Sequence, residues 1–378
     1  MPVLEFAFFD AGGGHRAAAH ALRLAVQMQN RPWEIRLLNI QELFDPIDVF
    51  RKATGLRLQD IYNTMLKKGW TLGSAQLLPL MHFVIRLFHR RQVELLGDYW
   101  RRSRPDLVVS LIPNFNRALH ESLTRAAPGT PLVTILTDLA DYPPHFWLEP
   151  QDQWVVCGTD RAVEQAKAIG LPPAKILRSS GMILHPRFYE PRRDDRAEGR
   201  ARLGLRPETP TGLVLFGGQG SSVMEEILER LDQSGLELQL IFICGHNQRL
   251  AERLRNRRTR VPVFVERFTD QVPAYMALAD FFIGKPGPGS ISEALAMGLP
   301  VIVQRNAWTL PQERYNTDWV LANGFGLVVS SFRQLPAVVH EMLEPSSFQQ
   351  FRERVASYRN HAVFEIPEFL EAILAQGR

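Results

Sequence analysis

The sequence predicts an α/β fold made of two doubly wound domains, each built on a parallel sheet. Short, almost uniformly apolar runs alternate with helix-like segments along the 378 residues. Such runs are typical of parallel strands that helices cover on both faces. The length is sufficient for two domains at roughly 150 residues each. Apolar residues make up 45% of the chain and charged residues 22%, which is ordinary for a soluble globular protein.

Eleven strands are predicted, five before residue 160 and six after residue 210. The first set covers residues 4–9, 34–38, 107–111, 132–136 and 154–156. The second set covers residues 212–216, 238–243, 263–265, 281–283, 301–303 and 327–329. Between the sets, residues 190–210 are polar, charged and proline-containing, which indicates a linker. The predicted domains are therefore 1–190 and 205–345, and helices in 346–378 are expected to pack back on the first domain.

Targeting and redox signals are few. No run of about 18 apolar residues predicts a membrane-spanning helix. The first residues lack the basic region and apolar segment of a signal peptide. The cysteines Cys157 and Cys244 are isolated, without metal-ligand spacing, and fit a reducing cytosol. A cytoplasmic location is expected.

Positive charge is concentrated in residues 51–104. This segment holds eleven Lys and Arg residues against three acids, while the whole chain has a net charge of +4. Trp70, Phe83 and Trp100 lie among these cations. The combination fits a helix on an anionic membrane surface, and it fits a core helix with a solvated basic face equally well. Nucleic acid is a less favoured partner, because no recognised binding motif accompanies the charge.

A glycine turn follows the first predicted strand. Gly12, Gly13 and Gly14 place bare backbone amides at the start of a helix, where an anion or a close ligand can bind. His15 follows them at the carboxyl end of the strand. Its imidazole suits a general base for an acceptor hydroxyl or a donor to phosphate. The alternative is a helix-capping histidine in a tight turn.

A second glycine turn, residues 216–222, opens the second domain in the same way. Its spacing matches neither the dinucleotide fingerprint nor the P-loop, since no lysine follows the glycines. The amides from Gly218 to Ser222 are still suited to a pyrophosphate. Ser221 or Ser222 is expected to cap the helix that follows.

The third turn, residues 284–293, precedes another helix. Gly287 and Gly289 are expected to allow unusual dihedrals, and Ser290 is expected to cap the helix. Glu293 is predicted in the first helical turn, stabilised by the helix dipole, where it can accept hydrogen bonds from a ribose diol. The alternative is simple complementarity to the dipole.

Two further sites follow strands. Gln312 and Glu313, after strand 301–303, are suited to sugar hydroxyls, although a polar loop leading into a helix explains them too. Asp138, after strand 132–136, is a second candidate base or else a turn-forming residue. The chain contains no Asp-x-Asp pair for Mg²⁺ or Mn²⁺. Charge on a leaving group would therefore be met by loop amides and helix dipoles.

Together these motifs resemble the UDP-sugar-dependent glycosyltransferases of family 28. Within that family the galactolipid- and glucolipid-forming branch is the most similar, through Gly-Gly-Gly-His-Arg and Gln-Glu-x-x-Asn. The resemblance is carried by residues 10–17, 137–139, 217–220, 244–247, 284–295, 298–300 and 312–316.

The resemblance implies a GT-B fold, in which two doubly wound parallel-sheet domains face each other across a cleft. It implies an inverting reaction without metal or cofactor, in which an acceptor hydroxyl attacks the anomeric carbon and UDP leaves. His15 or Asp138 would be the base, and backbone near Phe268 would meet uracil. The other donor residues would be Gly14, Gly217, Gly218, Ser221, Gly287, Gly289, Ser290, Glu293, Gln312 and Glu313.

The implied partners are a UDP-sugar, a lipid acceptor such as diacylglycerol, and an anionic membrane that residues 51–104 contact peripherally. Many members carry His-Pro where this chain has Ile112 and Pro113, and the spacing of residues 141–145 also differs. The rival functions are a UDP-N-acetylglucosamine-dependent transferase to another lipid-linked acceptor, a UDP-sugar epimerase and a non-catalytic UDP-sugar-binding protein of the same fold. Galactose, glucose and N-acetylglucosamine remain open, as does the choice between the two bases.

Overall fold

A computed structural model describes residues 1–10, 13–47, 82–83, 85–142, 145–190 and 195–376. These residues form two compact units. The first unit comprises the described residues up to 186 together with those from 360 onward, and the second comprises those between 187 and 359. Each unit contains one six-stranded parallel sheet.

The sheet of the first unit has the strand order β2-β1-β3-β4-β5-β6. Its strands are β1 (Val3–Phe8), β2 (Glu34–Asn39), β3 (Leu107–Ser110), β4 (Leu132–Ile135), β5 (Trp154–Cys157) and β6 (Ile176–Arg178). Its helices up to residue 168 are α1 (Gly14–Met28), α2 (Ile40–Phe44), α3 (His89–Ser103), α4 (Asn116–Ala126) and α5 (Asp160–Ala168). The order reverses between β1 and β3, so the loops after these strands flank the crevice where open α/β sheets bind ligands.

The sheet of the second unit has the strand order β12-β11-β10-β7-β8-β9. Its strands are β7 (Thr211–Leu215), β8 (Gln239–Ile243), β9 (Val263–Glu266), β10 (Phe281–Gly284), β11 (Val301–Gln304) and β12 (Gly326–Val329). Its helices are α6 (Arg196–Arg202), α7 (Val223–Asp232), α8 (Gln248–Asn256), α9 (Val272–Leu278), α10 (Pro288–Ala296), α11 (Arg314–Asn323), α12 (Leu335–Leu343) and α13 (Pro345–Ser357). Here the order reverses between β7 and β10, which pair directly.

The chain ends with α14 (Ala362–Gln376), which belongs to the first unit and packs along α1. The Nε2 atom of Gln29 donates to the carbonyl of Phe364 at 2.8 Å, and Arg31 forms an ion pair with Glu371. The preceding helix, α13, belongs to the second unit. The segment 346–378 is thus divided between the two units.

All eleven predicted strands are present, with ends that shift by a residue or so. The sequence pattern missed β6, at the sheet edge, because its three residues are half-buried or exposed and give no apolar run.

Part of the predicted linker is folded into the second unit. Arg200, on α6, is 4% exposed and forms an ion pair of 2.6 Å with Asp280.

The basic segment 51–104 is described only in part, since residues 51–81 and 84 lie outside the described ranges. On α3, the apolar face packs into the core of the first unit through Val93, Leu96 and Trp100. Trp100 is fully buried, and its indole donates to Ser122 at 2.8 Å. The helix from 89 to 103 is therefore a core helix with a solvated basic face. Among the residues described, no helix is long and apolar enough to cross a bilayer.

Candidate active site

In the first unit, α1 begins at the glycine turn after β1. Gly13 precedes the helix with φ +81°, a left-handed conformation that glycine adopts without steric cost. A side chain at Gly13 or Gly14 would meet open space. Neither an acid in the first turn nor a capping side chain occupies this helix start. Its free amides are therefore suited to an incoming anion or polar ligand.

His15 is the second residue of α1, and side chains from two other loops surround it. Its Nδ1 atom lies 3.0 Å from Oγ1 of Thr137, and it forms a hydrogen bond with the backbone of Leu111. Its ring centroid lies 5.8 Å from that of Trp147. Burial lowers the pKa of His15 to about 4. The imidazole is therefore neutral at pH 7, as a proton acceptor must be.

Asp138 contacts the same tryptophan. Its Oδ2 atom accepts a hydrogen bond of 2.8 Å from the indole Nε1 of Trp147, and the residue is 9% exposed. Trp147 thus contacts both predicted base candidates. Sequence reasoning did not assign this tryptophan a role, because a buried aromatic residue in a loop resembles any core residue.

The loop that carries Trp147 is held by buried polar groups. The Oδ1 atom of Asp141 accepts the Trp147 amide at 2.7 Å, and burial raises the pKa of Asp141 to about 6. Asn116, fully buried, donates to the Trp147 carbonyl at 3.0 Å. Just after Ile112 and Pro113, Asn114 donates its amide to Phe146 at 2.7 Å. The chain departs from the family pattern at Ile112 and Pro113 and at residues 141–145. These positions therefore adjoin the contacts that hold Trp147 in place.

In the second unit, the loops after β7 and β8 pack backbone against backbone. Gly220 and Gly245 have φ of +62° and +57°. A methyl group on Gly220 would lie 2.5 Å from the carbonyl oxygen of Cys244, and one on Gly245 would overlap that of Gly218. The amide of His246 donates to the Gly218 carbonyl at 2.9 Å. Only glycine allows this approach.

The β7 loop leaves several amides free at the start of α7. Among the described residues, no acceptor takes the amide of Gly218, Gln219, Ser221 or Ser222. Ser222 precedes the helix but its side chain makes no capping bond, and Oγ of Ser221 accepts only a long bond of 3.4 Å from Val223. Of the two serines predicted as caps, Ser222 makes no capping bond, and Ser221 makes only this long one. The free amides suit phosphate oxygens.

The helix after β10 begins earlier than predicted. Gly287 directly precedes α10 with an ordinary φ of −71°, and Pro288 is its first residue, a position for which proline is preorganised. Gly289 has no positive φ. The predictions of unusual dihedrals at Gly287 and Gly289 and of a Ser290 cap are thus wrong, since Ser290 lies inside the helix. A methyl group at Gly287 would lie 3.2 Å from Cε of Lys285, so the lysine side chain would have to shift slightly to accommodate it.

Glu293 is the sixth residue of α10 and lies in the second turn, not the first as predicted. The prediction that the helix dipole stabilises the charged form of Glu293 is also wrong, because burial raises the pKa of this carboxyl group to about 7. Within the described part of the chain, no side chain or amide forms a hydrogen bond with its carboxyl group. A half-buried carboxyl group without a partner among the described residues is suited to a ligand donor.

The loop after β11 contacts the loop after β10. Glu313 is 7% exposed, and its Oε1 atom lies 3.1 Å from Nζ of Lys285. Asn316, fully buried, donates to the carbonyl of Pro286 at 2.7 Å. Gln312 is half-buried in the short helical turn Pro311–Glu313. Sequence reasoning assigned no role to Lys285, since only the fold brings it to this turn, and it used Asn316 as part of a family pattern without a role of its own.

Phe268, predicted near uracil, is 59% exposed and stacks on His246 with ring centroids 4.0 Å apart. At the carboxyl edge of its sheet, the second unit therefore offers free amides and an aromatic face on loops, and a half-buried carboxyl group on α10. No group of three His, Cys, Asp or Glu side chains in the described ranges could hold a metal ion. Metal independence stays a prediction for assay with chelator.

Comparison with known proteins identifies this unit. Residues 213–360 match the glycosyltransferase family 28 C-terminal domain. The chain is a glycosyltransferase whose second unit is this domain. The predicted resemblance to family 28 is thereby confirmed.

Relatives extend the similarity over most of the chain. A probable monogalactosyldiacylglycerol synthase of Glycine max is 27% identical, over 97% of this chain and 70% of its own length. The monogalactosyldiacylglycerol synthase of Spinacia oleracea is 26% identical, over 97% and 72%. A probable monogalactosyldiacylglycerol synthase 2 of Oryza sativa subsp. japonica is 29% identical, over 84% and 68%. All three are described as chloroplastic.

Solved structures share the fold at low sequence identity. MurG of Acinetobacter baumannii aligns with a TM-score of 0.61 and 12% identity, over 98% of this chain and all of that one. MnaA of S. aureus, solved with UDP, aligns with a TM-score of 0.60 and 14% identity, over 98% of this chain and 97% of that one. Spinosyn forosaminyltransferase SpnP aligns with 0.56 and 14%, over 99% of both. The predicted GT-B fold is confirmed.

Proposed function

We propose that the chain transfers a hexose from a UDP-sugar to a lipid acceptor, with diacylglycerol as the preferred acceptor and with inversion at the anomeric carbon. One observation carries the donor assignment: free helix-start amides lie on loops at the carboxyl edge of one sheet, and Glu293, which has no hydrogen-bond partner among the described residues, lies on α10, the helix that follows one of these loops. Amides at a helix start bind phosphate. A carboxylate suits the two hydroxyls of ribose.

The first unit would supply the base. Neutral His15 takes the proton from the acceptor hydroxyl, and the hydroxyl oxygen attacks the anomeric carbon as the bond to the UDP oxygen breaks. The bonding electrons leave with UDP. Asp138 is the less suitable base, because its Oδ2 atom already accepts the indole N–H of Trp147. We assign Asp138 to holding the tryptophan beside the imidazole.

Two observations support a lipid acceptor. The relatives named above are monogalactosyldiacylglycerol synthases and match most of this chain. The first unit also exposes large apolar side chains next to cations: Phe83 is 62% exposed and Leu87 is 66% exposed, with Arg86 and Arg90 beside them. Apolar side chains among cations suit peripheral binding to an anionic bilayer. We therefore propose peripheral membrane association.

The test is UDP release from UDP-galactose, UDP-glucose and UDP-N-acetylglucosamine. Each donor is assayed with anionic vesicles that contain or lack diacylglycerol, in the presence of chelator. We expect turnover that requires diacylglycerol and prefers one sugar, which would also identify the donor. Binding of a UDP-sugar without acceptor-dependent turnover would overturn the proposal in favour of an epimerase or a binding protein.

A further inference from the structure

Lys285 lies between the two glycine turns of the second unit. Its Cε atom is 3.7 Å from the position of a methyl group on Gly217 and 3.2 Å from one on Gly287. Gly217 belongs to the loop after β7 and Gly287 to the loop after β10, and these strands are neighbours where the strand order reverses. The ammonium group is thus at the crevice where such sheets bind ligands.

Glu313 and Asn316 hold this lysine in place. Oε1 of Glu313 is 3.1 Å from the ammonium nitrogen, and the Glu313 side chain is only 10% exposed. Asn316 donates to the carbonyl of Pro286, the residue after the lysine. The Lys285 side chain remains 40% exposed. An ammonium group has three donors, so two remain for a ligand after the bond to Glu313.

The surroundings select an anion for those donors. The amides of Gly218, Gln219, Ser221 and Ser222 have no protein acceptor, and the first amides of α10, at Gly289 and Ser290, have none within the described residues either. The starts of α7 and α10 and the ammonium group of Lys285 therefore offer hydrogen-bond donors to the same ligand. Lysine is a compact point charge that binds phosphate.

We propose that Lys285 binds the diphosphate of the donor and that Glu313 is its positioning residue rather than a ligand of the sugar. This inference rests on the proposed function. When the bond between the anomeric carbon and the β-phosphate oxygen breaks, the electron pair stays on that oxygen. The ammonium charge stabilises it without any proton transfer. The loop after β7, whose glycines are followed by no lysine, thus receives its cation from the loop after β10.

We expect arginine to be a poor replacement for this lysine. Lys285 is the only lysine between residues 187 and 359, a range that is otherwise rich in arginine. A guanidinium group is planar and broader than an ammonium group. The Cε atom of Lys285 lies only 3.2 Å from where a methyl group on Gly287 would stand, so we expect the broader head of arginine to fit poorly beside this turn.

The test is calorimetric binding of UDP, UMP and uridine to the full chain and its variants. We expect Lys285→Met to weaken UDP binding about 10- to 100-fold, the size of a charge-assisted hydrogen bond, and to leave uridine binding within about 2-fold. Lys285→Arg should not restore UDP binding. Lys167→Met, at an exposed lysine of the first unit, is the matched control and should bind as wild type. Thermal unfolding, with Lys285→Gln as a second variant, establishes that each protein is folded.

Glu313→Gln separates the two roles of the glutamate. A positioning residue acts only through the lysine. Glu313→Gln as a single substitution should therefore weaken UDP binding, but the same substitution in the Lys285→Met variant should cause no further loss. Weaker binding of UDP-sugar with unchanged binding of UDP would instead make Glu313 a sugar ligand and overturn its assignment. Equal losses for UDP and uridine in Lys285→Met, or none, would overturn the role of the lysine while the proposed function stands. Wild type that binds no UDP would overturn both.

Discussion

The Nδ1 atom of His15 lies 3.0 Å from the Oγ1 atom of Thr137, which joins the first turn of α1 to the loop after β4. With its hydrogen on Nδ1 and donated to Thr137, the neutral imidazole has its lone pair on Nε2. This contact therefore sets the orientation of the proposed base and suits the tautomer that the reaction requires.

Removing the base should lower kcat more than removing its orienting hydroxyl. We expect His15→Ala to reduce kcat by about 10²–10⁴, the usual contribution of a general base, and Thr137→Val to reduce it about 10-fold. His120→Ala, at a half-buried histidine of α4, is the control. Steady-state kinetics at saturating donor measures each effect. Full activity of His15→Ala would transfer the role of the base to Asp138.

The pH profile provides a second test of His15. Burial lowers its pKa from the usual 6.5 to about 4, so the base loses its lone pair only as pH falls through about 4. We expect kcat/KM to show an acid limb near pH 4 that is missing from the residual activity of His15→Gln. The same substitution should stabilise the fold at low pH, because the unfolded histidine takes up a proton below about 6.5 and the buried one resists it.

Glu293 should make the stability of the fold depend on pH. Its pKa is raised to about 7, so its contribution to stability is complete below pH 4.5 and is lost as pH rises through about 7. Glu293→Gln should therefore unfold at a higher temperature than wild type at pH 8, with little difference at pH 4.5. Donor KM should rise in the same variant. The exposed Glu341→Gln is the control for thermal denaturation, and an unchanged melting curve at pH 8 would contradict the prediction.

The contact between the β7 and β8 loops should be intolerant of a methyl group. Gly245 and Gly235 both have positive φ, at +57° and +73°, but only Gly245 faces a neighbouring backbone, the carbonyl of Gly218. Gly235→Ala therefore measures the cost of the dihedral alone. We expect Gly245→Ala to lower the free energy of unfolding by about 1–3 kcal/mol more and to weaken UDP binding. Equal losses in chemical denaturation would show that the loops adjust freely.

Membrane binding should depend on the exposed apolar residues of the first unit. Replacing Phe83 and Leu87 by serine removes two large side chains, each contributing about 1.5–3 kcal/mol when buried. We expect binding to anionic vesicles to weaken about 10-fold or more in sedimentation. Met28→Ser, at an apolar residue of α1 that is 53% exposed, is the control. Unchanged sedimentation of the double variant would place the membrane contact elsewhere.

Much of the fold was readable from local pattern. Buried parallel strands are short apolar runs, so the strands that line both sheets were found directly, and β6 escaped because it is barely buried. The start of α10 was misplaced, because the serine at 290 looked like a cap while Pro288 had already begun the helix. The electrostatic state of Glu293 could not be read from spacing, since it depends on what buries the carboxyl group.

The sequence by itself determined the two α/β units, the glycine turns at their strand ends and the acids and histidine that follow them. These features are local, because a strand, a turn and a helix start are set by residues a few positions apart. The tertiary structure alone decided that Trp147 joins His15 to Asp138, and that Glu313 holds Lys285 across 28 residues of sequence. Such pairs depend on which strands become neighbours, and no local pattern records the order of strands in a sheet.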